Sequence, residues 1–253
     1  MSSALPIVFI PALFCDEAMY VALIAELGAA PRSRVLVARG RTVAECVAEI
    51  LQSSPERFVL VGASYGGIIA TEVALAAPER VAALCLAGVD VGAPNVEQSR
   101  GFATMVEGAP AVAIAHLASQ VVRPDATAAA QTFREMAARI GGVTAAEGIR
   151  VLGARASAWE RLGELTMPTL IVWGADDALF PVAVGKRLAA MLPLARLEVI
   201  ACSGHLPMLE APQAVAAVMK RWMREAVQHP PGEEPRSSGT PVAAMTPANP
   251  PEA

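Results

Sequence analysis

Residues 57–78 read RFVLVGASYGGIIATEVALAAP, and no other stretch constrains the fold as tightly. Phe58 to Val61 is an unbroken apolar run with two β-branched valines, which suits a strand buried on both faces. Gly62-Ala63-Ser64-Tyr65-Gly66 follows at once, a G-x-S-x-G pattern, and then an Ala-, Ile- and Leu-rich helical run that ends at Pro78. A serine wedged between strand and helix sits on a turn so sharp that its backbone is strained. Glycines at 62, 66 and 67 make such a turn feasible, because a Cβ there would strike the neighbouring strand or helix. The turn lifts the Ser64 hydroxyl out of the sheet and points the next helix's N-terminus at it. The Tyr65 amide is then free to bind a developing oxyanion. A plain βα turn capped by a serine has the same letters, but the flanking strand and helix favour a nucleophile.

The rest of the chain can surround this element with a large core. It has 253 residues, of which 54% are hydrophobic and 17% charged, enough for one sizeable α/β domain. The formal net charge of −4 is spread without runs, which argues against nucleic acid or an anionic membrane as partner. No apolar stretch is long enough to predict a membrane span. The N-terminus lacks the charged flank and apolar core of a signal peptide. A cytoplasmic protein is the expectation. The four cysteines are scattered without a CxxC pair. Cys85 lies in a core strand as a small buried thiol; Cys15 lies near the site without an activating partner. With no metal-ligand cluster and no nucleotide-binding loop, neither a cofactor nor a metal is implied.

Taken in order, Pro6 to Ile10 predicts a short strand, Met19 to Leu27 a helix, Arg34 to Ala38 a strand and Thr42 to Leu51 a helix. Thr42 and Glu45 have capping-box spacing. The serine strand and its helix follow, then a strand from Val81 to Ala87. Such alternation implies a parallel sheet with helices on both faces, and ligands just beyond the carboxyl ends of its strands. It stops at Val91. Residues 91–166 are Ala-rich with charges at helical spacing, an insertion that reads as a helical cap over residues 1–90 and 167–227. Alternation resumes with Pro168 to Trp173, a helix from Val182 to Leu192, the strand Arg196 to Ala201 and a last helix from Pro212 to Val227. Residues 228–253, rich in proline, serine and charge, read as a disordered tail.

A hydroxyl nucleophile needs a base, and the base needs an acid to orient it. His205, in Ser203-Gly204-His205-Leu206-Pro207, follows the last core strand, where a base can reach across the sheet's rim. His229 falls in the tail, and His116 in the cap reads as a surface or core histidine. The acid belongs after the preceding strand, where Asp176 and Asp177 adjoin. Both cannot point at one imidazole.

Gly62 to Gly67, Gly174 to Pro181 and Gly204 to Pro212 resemble the elbow, acid and histidine motifs of the α/β-hydrolase superfamily. The resemblance spans about residues 5–225 and the order Ser, Asp, His is the one expected of it. It implies an α/β-hydrolase fold with a mostly parallel sheet of about six strands, the family's first two being absent. The family's G-x-x-D-x-x-x-P spacing selects Asp177 and leaves Asp176 as a turn or helix-capping residue. Asp90 is a distant third, because some related enzymes carry the acid there. In place of the usual His-Gly oxyanion loop stands Pro11-Ala12-Leu13-Phe14-Cys15-Asp16, with Ala12 at a glycine position. By position Leu13 supplies the second oxyanion amide, ahead of Phe14. Arg39-Gly40-Arg41-Thr42 replaces the family's Asp-x-x-Gly run and reads as a solvated helix start rather than an anion site. The implied activity is hydrolysis of a small-molecule acyl substrate (a carboxylic ester, thioester or lactone) through an acyl-enzyme on Ser64. The same triad serves lyases, C–C hydrolases and cofactor-free haloperoxidases. The fold also serves as a ligand-binding receptor.

Overall fold

The computed structural model describes residues 5–29 and 32–228. Six strands form one sheet: β1 (Ile7–Ile10), β2 (Ser33–Val35), β3 (Phe58–Ala63), β4 (Val81–Ala87), β5 (Thr169–Gly174) and β6 (Ala195–Ile200). Their order is β2-β1-β3-β4-β5-β6 and every pairing is parallel. The apolar runs at β1, β3 and β5 are buried at every position, as expected of strands covered on both faces. Strands β2 and β6 are the edges, and most of their residues are only half-buried.

Helices clothe both faces. Successive side chains alternate, so Phe9, Val59, Val61, Cys85 and Val172 enter one core cluster. Val8, Phe58, Leu60, Leu86 and Trp173 enter the other. The first cluster lies under α1 (Val21–Leu27) and α10 (Pro212–Gln228). The second lies under α2 (Val43–Ser53), α3 (Tyr65–Ala76) and α8 (Val182–Met191). A short helix, α9 (Pro207–Glu210), precedes α10 and has no counterpart among the expected elements. At α2, Thr42 Oγ1 accepts the Glu45 amide, but the Glu45 carboxylate turns back to the Arg41 amide instead of Thr42's own. The cap is therefore a variant of the predicted box.

Between β4 and β5 run four helices, α4 (Val96–Gly108), α5 (Pro110–Val121), α6 (Thr127–Ile140) and α7 (Gly142–Ala154). The Ala158 amide donates to the Val91 carbonyl and draws the two ends of this insertion together. Its apolar faces do not form a separate core: Phe133, Met136 and Ile149 join the cluster that holds Phe9 and Tyr20. A 3-10 segment, Trp159–Glu164, leaves the insertion early and packs Leu162 into the second cluster. Of the tail expected over 228–253, residues 229–253 lie outside the described residues, while Gln228 is not part of a tail but the last residue of α10. Among the described residues no helix is long and apolar enough to cross a membrane.

Candidate active site

Ser64 stands between β3 and α3 with φ 51° and ψ −116°, a conformation that side-chain-bearing residues rarely adopt. Strain of this kind persists only where the surroundings over-determine it. Here the Ser64 amide donates to Ala87 of β4, and the Ser64 carbonyl accepts from Gly67 and Ile68. Gly66 lies so close to β1 that a Cβ would come within 2.1 Å of the Ile10 carbonyl oxygen and 2.5 Å of Pro11's. Backbone cannot yield that distance cheaply. Gly66→Ala is accordingly expected to lose more than about 3 kcal/mol of stability, seen as a collapse of soluble yield or of the thermal midpoint.

The acid loop starts where β5 ends. Gly174 touches the loop after β6 so closely that a Cβ would lie 1.9 Å from the Gly204 carbonyl oxygen. The Asp176 amide donates to Ser203 O, a second tie between these loops. Fully buried Trp173 donates its indole N–H to the Phe180 carbonyl and closes the acid loop from below. Within that frame Asp177 Oδ1 accepts the Leu179 and Phe180 amides, each at 2.9 Å. Its other oxygen, Oδ2, lies 2.9 Å from His205 Nδ1. Asp176 points elsewhere: it is exposed, 3.5 Å from the Arg123 guanidinium, and caps no helix. Asp90 accepts the Gly92 amide and has no contact with the imidazole among its hydrogen bonds.

His205 is 1% exposed, with Phe180 edge-on at 5.4 Å between ring centres. Its backbone and ring abut Gly88, the residue after the Ala87 that holds the Ser64 amide. The Asp177–His205 pair is thus formed, and Ser64 is anchored one residue from the imidazole's floor. Nε2 of His205 is buried and has no hydrogen-bond partner among the described residues, the Ser64 hydroxyl included. Hydrogen bonds of catalytic groups are often loose without substrate and tighten in the complex.

The loop after β1 makes the opposite wall. Cys15 donates to Ala12 O across a tight turn centred on Leu13 and Phe14. The unusual backbone falls on Phe14, at φ 64°, while Ala12 is not among the positive-φ residues. Alanine is tolerated there for that reason. Neither the Leu13 nor the Tyr65 amide donates a hydrogen bond among the described residues. Cys15 and Cys85 are buried free thiols; burial drives both pKa values up, Cys85's to about 12, so neither is a nucleophile at neutral pH.

Above Ser64 lies a cavity of about 560 Å3, within the range of small-molecule sites. Leu13, Ser64 and Tyr65 form its floor and Phe102, Leu117 and Ile149 its apolar walls. Polar groups from the insertion, Gln98, His116 and Gln120, also line it, so His116 is an exposed cavity residue. Arg39 and Arg41 are exposed and line neither this cavity nor the smaller crevice beside it, in keeping with a solvated helix start. The arginine in the cavity is Arg155, whose Nε is buried without a partner among the described residues. Burial draws its pKa below the ordinary arginine value, against the pull of Asp90.

Sequence reasoning also passed over Glu210. Its carboxylate accepts the Gly204 amide at 2.9 Å and the Arg123 amide at 3.0 Å, tying the histidine loop to the α5–α6 link. Burial raises its pKa despite these amides. Its only signal was its place in the histidine motif, five residues after His205. Among the described residues no group of three or more His, Cys, Asp or Glu could hold a metal ion.

The model of the Alpha/beta hydrolase family matches residues 7–218. A 2-hydroxy-6-oxononadienedioate/2-hydroxy-6-oxononatrienedioate hydrolase of Cupriavidus pinatubonensis is 32% identical over 169 residues, 59% of this chain. That match spans 56% of the relative, little more than half its length. A pimeloyl-(acyl-carrier protein) methyl ester esterase of Aliivibrio salmonicida is 25% identical over 202 residues, 71% of this chain and 74% of that one. Among solved structures, a thermophilic esterase from Thermogutta terrifontis aligns with a TM-score of 0.80 at 22% identity. The alignment covers 88% of this chain and 91% of that chain and speaks to the fold alone.

Proposed function

The chain belongs to the alpha/beta hydrolase family, and from that premise we propose that it hydrolyses a carboxylic ester, thioester or lactone through an acyl-enzyme on Ser64. The observation that carries this reading is the 2.9 Å contact of Asp177 with His205, whose ring abuts Gly88, the residue after the Ala87 carbonyl that holds the amide of the strained Ser64. In the proposed mechanism Ser64 Oγ attacks the carbonyl carbon while His205 Nε2 takes the hydroxyl proton. Asp177 holds the Nδ1 proton and stabilises the imidazolium as it forms. The tetrahedral oxyanion lies between the Tyr65 and Leu13 amides, where two fixed dipoles meet the developing charge. His205 then gives its proton to the leaving oxygen or sulfur as its bond to the acyl carbon breaks. It next takes a proton from water as the water oxygen attacks the acyl carbon, and returns that proton to Ser64 Oγ as the acid departs. The helices between β4 and β5 act as a cap, and their apolar walls suit a mostly apolar acyl group.

A fluorophosphonate probe tests the reading directly. The native chain is expected to gain one adduct in its intact mass, mapped to Ser64, and Ser64→Ala none. A native chain that stays unlabelled and turns over no p-nitrophenyl ester would sink it.

Arg155 favours a second reading. The named substrate of the Cupriavidus relative carries carboxylates and a ketone but no ester, so water must open a carbon–carbon bond. A cation in this cavity could face such a carboxylate. Turnover of a dienoate keto-acid that outpaces every short-chain ester would favour C–C hydrolysis on the same residues.

A further inference from the structure

The turn that would supply the Leu13 amide is held from outside the sheet. We propose that Arg139 is a positioning residue: through Asp16 it fixes this turn in the form an oxyanion needs. The inference rests on the hydrolase reading above.

Arg139 lies in the last turn of α6 and meets Asp16 with a fork of two bonds, Nε to Oδ2 at 2.8 Å and Nη2 to Oδ1 at 3.1 Å. Paired bonds of this kind restrain orientation as well as distance. The Asp16 side chain is 10% exposed, and its Oδ1 also accepts the Ala18 amide at 3.0 Å, capping the 3-10 turn Glu17–Met19. Burial pushes the Asp16 pKa up, yet Arg139 and the Ala18 amide together hold it below the usual carboxylate value. The carboxylate is therefore ionised throughout the range in which a histidine base works. Glu17 and Glu135 are the other charges felt by Arg139.

One carboxylate thus serves two masters, two residues from a strained backbone. Phe14, at φ 64°, is in a conformation that needs external support. Packing supplies part of it: the Phe14 ring lies 6.5 Å from that of Phe133 on α6. The Leu13 side chain presses on α7 at Gly148, where an added Cβ would be 2.7 Å from Cδ1. The packing is not complete. A crevice of about 30 Å3 remains between the turn and the α6–α7 junction, room into which Leu13 and Phe14 could relax. The Arg139–Asp16 fork is the directional restraint on the same turn. Because Arg139 is 53% exposed, the pair adds little to global stability. Its consequence falls on the local geometry of the Leu13 amide.

The test compares the native chain with Arg139→Ala and Arg139→Lys. The readouts are kcat and KM on p-nitrophenyl butyrate, the inhibition constant of an alkyl trifluoromethyl ketone, and the thermal midpoint. The ketone forms a tetrahedral adduct on serine whose oxygen sits where the oxyanion would. Arg139→Ala is expected to lower kcat by about 10- to 30-fold, below the roughly 100- to 1,000-fold of losing a donor outright. Ketone affinity should weaken by the same factor, with KM within twofold and the midpoint almost unchanged. Lysine, a point charge without the fork, should recover part of the loss. An Arg139→Ala enzyme with native kcat, or one whose kcat falls while ketone affinity holds, overturns the proposal. A native chain that neither turns over esters nor binds the ketone overturns the hydrolase reading first, and this inference with it.

Discussion

Ser64→Ala is expected to lower kcat by on the order of a million-fold, the scale on which a serine nucleophile's loss is felt when base and acid remain. Residual rate enhancement over water should survive, because an oxyanion site and a binding cavity still act without the nucleophile. The fold should hardly notice. Ser64 Oγ makes no capping bond to α3, so its removal leaves no buried group unpaired, and stability should shift by less than about 0.5 kcal/mol. Alanine keeps a Cβ and inherits the strain at φ 51°, whereas glycine does not. Ser64→Gly is therefore expected to be the more stable of the two inactive variants, by about 1 kcal/mol or more. Chemical denaturation of the three proteins and single-turnover kinetics on one ester check both halves. An alanine variant that keeps more than a hundredth of the native kcat removes Ser64 from the chemistry.

How far such expectations can be read from the chain depends on how local each one is. The elbow is legible because its cause is local: Gly62 and Gly66 must be bare within a few residues of Ser64, and the flanking periodicities switch there from strand to helix. The central strands are legible because burial on both faces leaves unbroken apolar runs such as Leu170 to Trp173. Edges are blurrier. The letters place β2 over Arg34 to Ala38 and it forms over Ser33–Val35, since an edge strand needs apolar contact on fewer sides. The place of Asp176 before α8 suggests a capping role, but the nearest cation, Arg123, belongs to a loop more than fifty residues earlier. The cavity is the least legible part. His116 faces it because α5 packs one way against α4 and α6, and that rotation is a tertiary outcome. Likewise nothing in the letters around Asp16 points to Arg139, 123 residues away.

The adjacent carboxylates give the second large prediction, with opposite outcomes for two neighbouring substitutions. Asp177 divides its oxygens: Oδ1 takes two backbone amides and Oδ2 faces His205 Nδ1. In Asp177→Asn the amide oxygen belongs on the two N–H donors, because the NH2 group cannot accept from them. The NH2 group must then face Nδ1 and donate to it. An imidazole that accepts at Nδ1 carries its proton on Nε2, and a protonated Nε2 cannot take the Ser64 proton. The substitution changes no packing volume, so the loss is one of tautomer rather than of fold, and kcat should drop by about 1,000- to 10,000-fold. The same swap in a serine protease of unrelated fold, where the wrong tautomer is the cause, sets that scale. Asp176→Asn should cost less than about threefold, because its exposed carboxylate meets only Arg123, at 3.5 Å, in a pair that solvent screens. Both variants are to be assayed beside the native chain at one pH, alongside their thermal midpoints. A large loss in Asp176→Asn with Asp177→Asn near native would transfer the acid's role one residue back. Near-native rates in both would mean that the imidazole is oriented by neither.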